Sequence, residues 1–191
     1  MLIDPDISIR QRETILGTIL GGSSIIKPTK GQNCYLSMRS KNNLWLEYKA
    51  RELQVLASSA PFTVEKTYRW HSLCYPLFLN FHALFYHKGK RRLSCKVLDP
   101  LHDMGLAIWF ADCGSYLKGC VTLNTHIWGE NGSKEVCKYF RHLGYKPELI
   151  KQRDCLRVKL DETSSEMYMK LITPQLPIFI IQKIRTANHV V

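Results

Sequence analysis

The chain of 191 residues lacks an apolar stretch long enough to cross a membrane or to act as a signal peptide. Its longest apolar stretch, residues 15–26, is interrupted by Gly and Ser, whereas a bilayer span needs about 20 apolar residues. The N-terminal stretch MLIDPDISIRQRE carries two early aspartates and no apolar core. These absences argue against secretion and against membrane association, so we expect an intracellular protein.

The seven cysteines include no C-x-x-C pair, and no histidine spacing completes a zinc site. Their number is odd, so a complete set of intrachain disulfides is impossible. Small thiols of this kind are typical of proteins in a reducing compartment. We therefore expect free cysteines and no metal bound by cysteine and histidine.

Acidic residues are scarce, because 16 Asp and Glu stand against 27 Lys and Arg, which gives a net charge of +11. The excess is uneven, since the first hundred residues carry 15 of the basic and 7 of the acidic side chains. An excess of this size favours partners with dense negative charge, of which nucleic acid is the commonest.

Two apolar segments that end in glycine stand out in the remaining sequence, ILGTILGGSS at 15–24 and LAIWFADCGS at 106–115. Each predicts a buried helix that ends where glycine can adopt positive φ. Gly17 and Gly21 are four positions apart, so they share one helix face and permit close approach of a second backbone. The two helices would suit a shared interface formed by Gly17, Gly21, Leu106, Ala107 and Trp109, although an ordinary pair of buried helices is the simpler interpretation of the spacing alone.

The rest of the pattern repeats one order of elements twice. In the first half we predict strands at 24–27 and 34–40, a helix at 42–57 capped by Asn42 or Asn43, strands at 62–70 and 72–75, and a helix at 76–89. In the second half the strands are predicted at 116–117, 120–125, 146–151 and 155–160, and the helices start near Ser133 and at Thr163 or Ser164. The sequence therefore predicts an α+β fold of two αββαββα units.

With this order, the two motifs make the chain resemble the LAGLIDADG homing endonucleases of the two-motif, single-chain kind. The motifs are ILGTILGGS at 15–23 and LAIWFADCG at 106–114, supported by FYHKGKRRL, PLHDMGLAIWF and RHLGYKPEL. The resemblance implies tandem pseudo-symmetric units with antiparallel, saddle-shaped sheets over nucleic acid. It divides the chain into an N-terminal extension (1–12), a first half (13–100) and a second half (101–191), packed as one body.

In that family an aspartate at the foot of each motif helix holds the divalent metal for phosphodiester cleavage. Alignment on the motif places Gly22 and Cys113 at these positions, and neither is a good Mg²⁺ ligand. Asp112 is adjacent, but one step along a helix turns a side chain by about 100°, so it should point elsewhere. We expect no catalytic residues and no cofactor; Mg²⁺ would be needed only if the chain were still a nuclease.

The basic residues expected to contact nucleic acid lie on or beside the predicted strands and turns. They are Lys27, Lys30, Arg39, Lys41, Lys88, Lys90, Arg91, Arg92, Lys151, Arg153, Arg157, Lys159 and Lys183. The cluster around Gly89 is equally consistent with a solvated turn, and the late-strand cations with a solvated sheet face. The tryptophans are candidates for stacking on unpaired bases, except Trp109, which belongs to a motif helix.

The leading hypothesis is a cleavage-deficient relative that binds nucleic acid, with structured RNA favoured over duplex DNA. Such a protein would act as an intron-splicing cofactor or as a component of an organellar ribosome, beside other ribonucleoprotein subunits. Its location would then be the mitochondrion, with the bacterial cytoplasm also open. One alternative is an active or nicking site-specific DNA endonuclease with a nonstandard metal site, in which Asp112 would be the residual acid. The third hypothesis is a DNA-binding regulator.

Overall fold

The computed structural model describes residues 3–31, 33–57 and 59–189. The first half contains α1 (Ile9–Leu20), β1 (Ser24–Ile26), β2 (Tyr35–Ser40), α2 (Asn43–Glu52), β3 (Phe62–Val64), β4 (Thr67–His71) and α3 (Leu77–Phe85). The connection holds β5 (Tyr86–His87), β6 (Lys90–Arg91) and α4 (Cys95–Leu98). The second half contains α5 (Asp103–Cys113), β7 (Gly114–Leu117), β8 (Cys120–Asn124), α6 (Gly129–His142), β9 (Pro147–Gln152), β10 (Cys155–Leu160), α7 (Glu162–Ile172) and α8 (Ile178–His189). Within the described ranges, no helix combines the length and the apolar character that a membrane span requires.

Each half is built around a four-stranded antiparallel sheet. The strand order is β1-β2-β4-β3 in the first sheet and β7-β8-β10-β9 in the second. The same order therefore arises twice, with a motif helix before each first hairpin and a second helix between the two hairpins. This arrangement confirms the predicted α+β class and the tandem αββαββα organisation.

One face of each sheet is buried and the other is open. Helices α2 and α3 pack on the first sheet, and α6 and α7 on the second. Because side chains alternate along a strand, every second residue contributes to the core. The fully buried positions are Leu36, Met38 and Trp70 in the first sheet and Val121, Leu123, Val158 and Leu160 in the second. The alternate residues form what we call the outer face of each sheet.

The motif helices α1 and α5 pack against each other at the centre of the molecule. A Cβ atom at Gly17 would collide with the carbonyl oxygen of Gly105, which explains glycine at position 17. A Cβ atom at Gly105 would collide instead with the Leu101 side chain and crowd the Glu13 carbonyl oxygen. The buried Glu13 carboxylate accepts a hydrogen bond of 3.3 Å from the Gly105 amide near the start of α5. Helix α1 begins at Ile9, inside the stretch predicted as an N-terminal extension, because Ser8 forms a capping box there.

The predicted interface residues of the second motif are all buried. Leu106 is 2% exposed, and Ala107 and Trp109 are fully buried. Gly21 faces the side chain of Asp112, so the two helices stay close down to their C-terminal ends. The close approach that the glycine spacing predicts is therefore present in the structure.

Two predictions in the first half were wrong. Residues 72–75 form no strand and make only isolated bridges, while the second hairpin is formed by β3 and β4 within the predicted strand at 62–70. The predicted helix at 76–89 ends at Phe85, because β5 and β6 form a separate hairpin around Lys88 and Gly89. That pair adopts positive φ at both turn positions, which a helix cannot accommodate.

Helix boundaries differ from the prediction in smaller ways. Asn42 caps α2 as expected and accepts a hydrogen bond of 3.2 Å from the Trp45 amide. Ser133 does not cap α6 but lies inside it, where its buried hydroxyl donates to backbone oxygens. Asp161, not Thr163 or Ser164, caps α7. The short polar side chains were assigned from pattern alone, and tertiary packing decided which one ends each helix.

Candidate nucleic-acid interface

The two positions where the family places its metal ligands lie at the C-terminal ends of α1 and α5. Gly22 follows α1 and has a φ of +118°, a conformation that residues with a side chain rarely adopt. A Cβ atom there would meet no neighbour within 4 Å, so the constraint comes from the backbone and not from crowding. The local backbone therefore disfavours a carboxylate at this position.

Cys113 ends α5 and its thiol is enclosed. The Sγ atom lies 3.5 Å from the carbonyl oxygens of Trp109 and Asn124, to which the thiol can donate. Burial, and in second place the charge of Asp112, raises the pKa of Cys113 to about 12. The thiol is therefore protonated at neutral pH, and a protonated thiol is a poor ligand for a hard cation.

Asp112 lies beside Gly21 but is held by α2 of the first half. Lys49 Nζ donates to both carboxylate oxygens at 2.6 and 2.8 Å, and Trp45 Nε1 donates to Oδ1 at 2.6 Å. The Lys49 side chain is 1% exposed and that of Asp112 is 11% exposed. This contact joins the two halves of the chain at the foot of the motif helices. The sequence did not predict it, because 63 positions separate the ion-paired residues.

Arg91 occupies the matching place at the end of α1. Its Nη2 atom donates to the Ser23 carbonyl at 2.8 Å, to Ser24 Oγ at 2.7 Å and to the Gly22 carbonyl at 3.3 Å. The guanidinium also lies over the rings of Tyr86 and Trp128. Arg91 is one of the residues predicted to contact nucleic acid, and in this structure its Nη2 atom also holds the chain that follows α1.

The residues at this place do not fit a divalent metal site. Of the two family positions, one has no side chain and the other has an enclosed, protonated thiol. The nearest carboxylate, Asp112, already has an ammonium ion and an indole as partners. In the part of the chain that the structure describes, no group of three His, Cys, Asp or Glu side chains is arranged to hold a metal ion. We therefore derive no metal-dependent step from this geometry.

A cationic cavity of about 690 Å³ opens beside the helix ends. Residues of the outer face of the first sheet, the ends of α1 and α5, and α8 line it. Its cationic lining residues are Arg39, Lys41, Arg69 and Lys183, and its serine hydroxyls are those of Ser23, Ser24, Ser37 and Ser40. The acidic lining residue Asp112 forms an ion pair with Lys49, which does not line the cavity, so the lining carries a net positive charge. Such a set of donors suits phosphate groups.

Three of the predicted contact residues, Arg39, Lys41 and Lys183, meet in this cavity, and Arg69 was missed. Arg69 lies on β4 directly opposite Arg39 on β2. The alternation of Thr67, Arg69 and His71 with the core residue Trp70 was the signal that could have identified it.

In the second sheet, the structure separates the four predicted cations. Arg157 and Lys159 alternate with the buried Val158 and so belong to the outer face. Lys151 forms a 3.0 Å ion pair with Asp154 in the turn between β9 and β10, and Arg153 occupies that turn with a φ of +48°. Lys159 lines a second cavity together with acidic residues, so its charge is partly offset there.

The remaining predicted cations lie at connections outside the cationic cavity. They are Lys27 and Lys30 after β1, and Lys88, Lys90 and Arg92 in and after the β5–β6 hairpin, and all five are exposed.

Stacking on tryptophan was also proposed from the sequence, but the structure buries all four. Trp45, Trp70, Trp109 and Trp128 are at most 5% exposed.

Comparison with solved structures places this geometry among homing endonucleases. The homing endonuclease I-WcaI bound to its DNA recognition sequence matches with a TM-score of 0.87 and 18% identity, covering 95% of this chain and 88% of that one. I-DmoI in complex with DNA and Mn matches with a TM-score of 0.57 and 11% identity, covering 86% and 97%. The N-terminal LAGLIDADG domain of DUF199/WhiA gives 0.55 and 10%, covering 88% and 86%. At these identities the similarity establishes the fold alone.

No curated protein matches the sequence. The model of one protein family does match, over residues 12–168. That range contains both sequence motifs, all of α5, both sheets and the connection between the halves. The chain therefore belongs to the LAGLIDADG DNA endonuclease family.

Proposed function

We propose that this protein binds nucleic acid on the outer faces of its two sheets and does not cleave it. The observation that carries the proposal is the cationic cavity, where Arg39, Lys41, Arg69 and Lys183 surround a volume large enough for phosphate groups. Arginine and lysine contacts to phosphate supply most of the sequence-independent affinity for nucleic acid. Asp112 does not offset this charge, because Lys49 already neutralises it.

The proposed loss of cleavage follows from the donors at the helix ends. A metal-activated water needs a cation held by hard oxygen ligands. Gly22 offers no ligand, and the thiol of Cys113 is protonated and enclosed. A divalent ion at Asp112 would have to displace the Lys49 ammonium, which is buried and has both carboxylate oxygens within hydrogen-bond distance.

For the target we favour structured RNA, bound as an intron-splicing cofactor or within an organellar ribonucleoprotein such as a ribosome. The relatives I-WcaI and I-DmoI are described with DNA, so DNA is the competing target. Support for RNA comes from the short hairpin of the second half, which spans residues 114–124, whereas the first hairpin of the first half spans residues 24–40. A short ribbon reaches fewer base edges along the major groove of a duplex.

The proposal is tested by measuring binding of structured RNA and duplex DNA by fluorescence anisotropy over a range of salt concentrations. We expect a steep loss of affinity with salt, and we expect Arg39→Gln to reduce the salt slope by about one ion. Lys170→Gln on α7 is the matched control, since it removes an exposed charge that does not line the cavity. Absence of binding to either nucleic acid at low salt would overturn the proposal.

Cleavage is tested separately with the purified protein, DNA substrates that contain candidate target sites, and Mg²⁺ or Mn²⁺. We expect no nicked or cut product. A product that disappears in Asp112→Asn would establish the alternative, a nuclease with a nonstandard metal site, and would refute the proposed loss of cleavage.

A further inference from the structure

A row of aromatic rings crosses the outer face of the first sheet. Tyr35 on β2, His71 on β4 and Phe62 on β3 form it, and we call it the aromatic row. The ring centroids of Tyr35 and Phe62 each lie 5.4 Å from that of His71. Phe62 is 40% exposed, while Tyr35 and His71 are half-buried. The core-facing side of this sheet is where α2 and α3 pack, so the aromatic row lies on the opposite, open side.

The aromatic row adjoins the cationic cavity. The strand register places Phe62 directly opposite Arg69, and Arg69 directly opposite Arg39. Side chains paired in this way have Cβ atoms about 5 Å apart, and like charges at such positions destabilise a sheet. Among the described residues, neither arginine has an acidic partner within 4 Å. Two adjacent guanidinium groups without a carboxylate are a natural place for a phosphate.

We infer that the outer face of the first sheet binds an unpaired nucleotide, with its base on the aromatic row and its phosphate between Arg39 and Arg69. This inference rests on the nucleic-acid binding proposed above and adds the structural state of the target. A base within a duplex is covered on both faces by its neighbours, so only an unpaired base can stack on a protein ring.

The charge state of the row fits this role. Burial, and in second place the charge of Arg69, lowers the pKa of His71. Its ring is therefore neutral at pH 7 and presents an uncharged π face beside Phe62 and Tyr35. Aromatic rings next to cations on an open sheet are the combination with which single-strand binding proteins hold successive bases and phosphates.

The test compares an RNA hairpin with an unpaired loop against a fully paired RNA duplex of the same charge. We expect the protein to prefer the hairpin, and we expect Phe62→Leu to weaken hairpin binding by about tenfold without changing duplex binding. Phe62→Tyr keeps a π face and is expected to retain the preference. Leu143→Ala is the matched control, since Leu143 is 43% exposed at the end of α6, on the side opposite the outer face of the second sheet, and is not aromatic.

A 2-aminopurine placed in the loop reports stacking directly. We expect its fluorescence to be quenched by the wild-type protein and by Phe62→Tyr but not by Phe62→Leu. Circular dichroism confirms that each variant is folded. Equal affinity for hairpin and duplex, unaffected by Phe62→Leu, would overturn this inference and leave the proposed binding intact. Binding to neither RNA nor DNA would overturn the proposed function itself.

Discussion

Asp112→Asn is the most informative single substitution, because it removes one charge of the buried Lys49–Asp112 pair while keeping the shape of the side chain. Asp112→Asn leaves the Lys49 ammonium, which is 1% exposed, without a counter-ion. Removing one partner of a buried pair costs about 3–5 kcal/mol. The Asn side-chain oxygen can still accept from Trp45 and Lys49, so we expect the lower value, a loss of about 3 kcal/mol in the free energy of unfolding.

Removing the other partner, Lys49, is expected to lower the free energy of unfolding by less. Lys49→Met leaves the Asp112 carboxylate, which is 11% exposed, lines the cationic cavity and keeps the hydrogen bond from Trp45. Water in the cavity can solvate that charge, whereas no such route exists for a stranded ammonium. We therefore expect Lys49→Met to lower the free energy of unfolding by about 1–2 kcal/mol. The double variant is expected to lose less than the sum of the two single losses.

The assay is equilibrium unfolding in urea, followed by circular dichroism. At a slope of roughly 2 kcal/mol per molar urea, the Asp112→Asn variant should unfold about 1.5 M earlier than the wild type. Arg10→Met is the control, since the Arg10–Glu52 pair has a similar distance of 2.8 Å but lies at the surface. It should cost at most about 1 kcal/mol. A larger loss for Lys49→Met than for Asp112→Asn would refute the reasoning from burial.

Three further predictions concern the motif helices. Gly17→Ala places a methyl group against the Gly105 carbonyl, so we expect a loss of about 1–3 kcal/mol in the free energy of urea unfolding; a neutral result would contradict the close packing. Gly22→Ala meets no neighbour but forces a residue with a side chain to a φ of +118°, so we expect the backbone alone to cost about 1–3 kcal/mol in the free energy of urea unfolding. An unchanged unfolding midpoint would show that this conformation is not required. The Cys113 thiol should resist alkylation at pH 8, seen by mass spectrometry of the folded protein, because its pKa of about 12 keeps it protonated. Since the pKa of Cys113 in the folded protein lies above the ordinary cysteine value of 9.0, the stability contributed by the protonated thiol is lost as the pH rises from about 9 towards 12, which pH-dependent unfolding would detect.

The fold was largely predictable from local patterns. Alternation located six of the eight strands in the two sheets but merged β3 and β4 into one, and the glycine-ended apolar segments located both motif helices. The prediction failed where two patterns competed, as at Lys88 and Gly89, where an apolar helical run continues into a two-residue turn. Residues 62–70 show the same problem, because the turn at Glu65 and Lys66 adopts positive φ without a glycine or asparagine to mark it.

The site was less predictable because it depends on contacts between distant parts of the chain. Sequence alignment on the motif identified Gly22 and Cys113, which are local features. The partners of Asp112 come from a helix of the other half, and those of Arg91 from the chain after α1. No periodicity reports such contacts, so the basic residues were predicted as one group although the structure gives them different roles. Arg91, for example, donates from Nη2 to the Ser23 carbonyl and to the Ser24 hydroxyl.

The indoles of Trp45 and Trp128 make the two halves dependent on each other. Trp45 reaches from the first half to Asp112 at the end of α5, and Trp128 reaches from the second half to the Leu20 carbonyl at the end of α1, at 3.4 Å. If the chain were cut in the connection between the halves, each fragment would therefore keep an indole donor whose acceptor lies on the other fragment. The halves repeat one order of elements, yet this exchange of hydrogen bonds means that a half separated from the other would lose a partner at the end of its central helix.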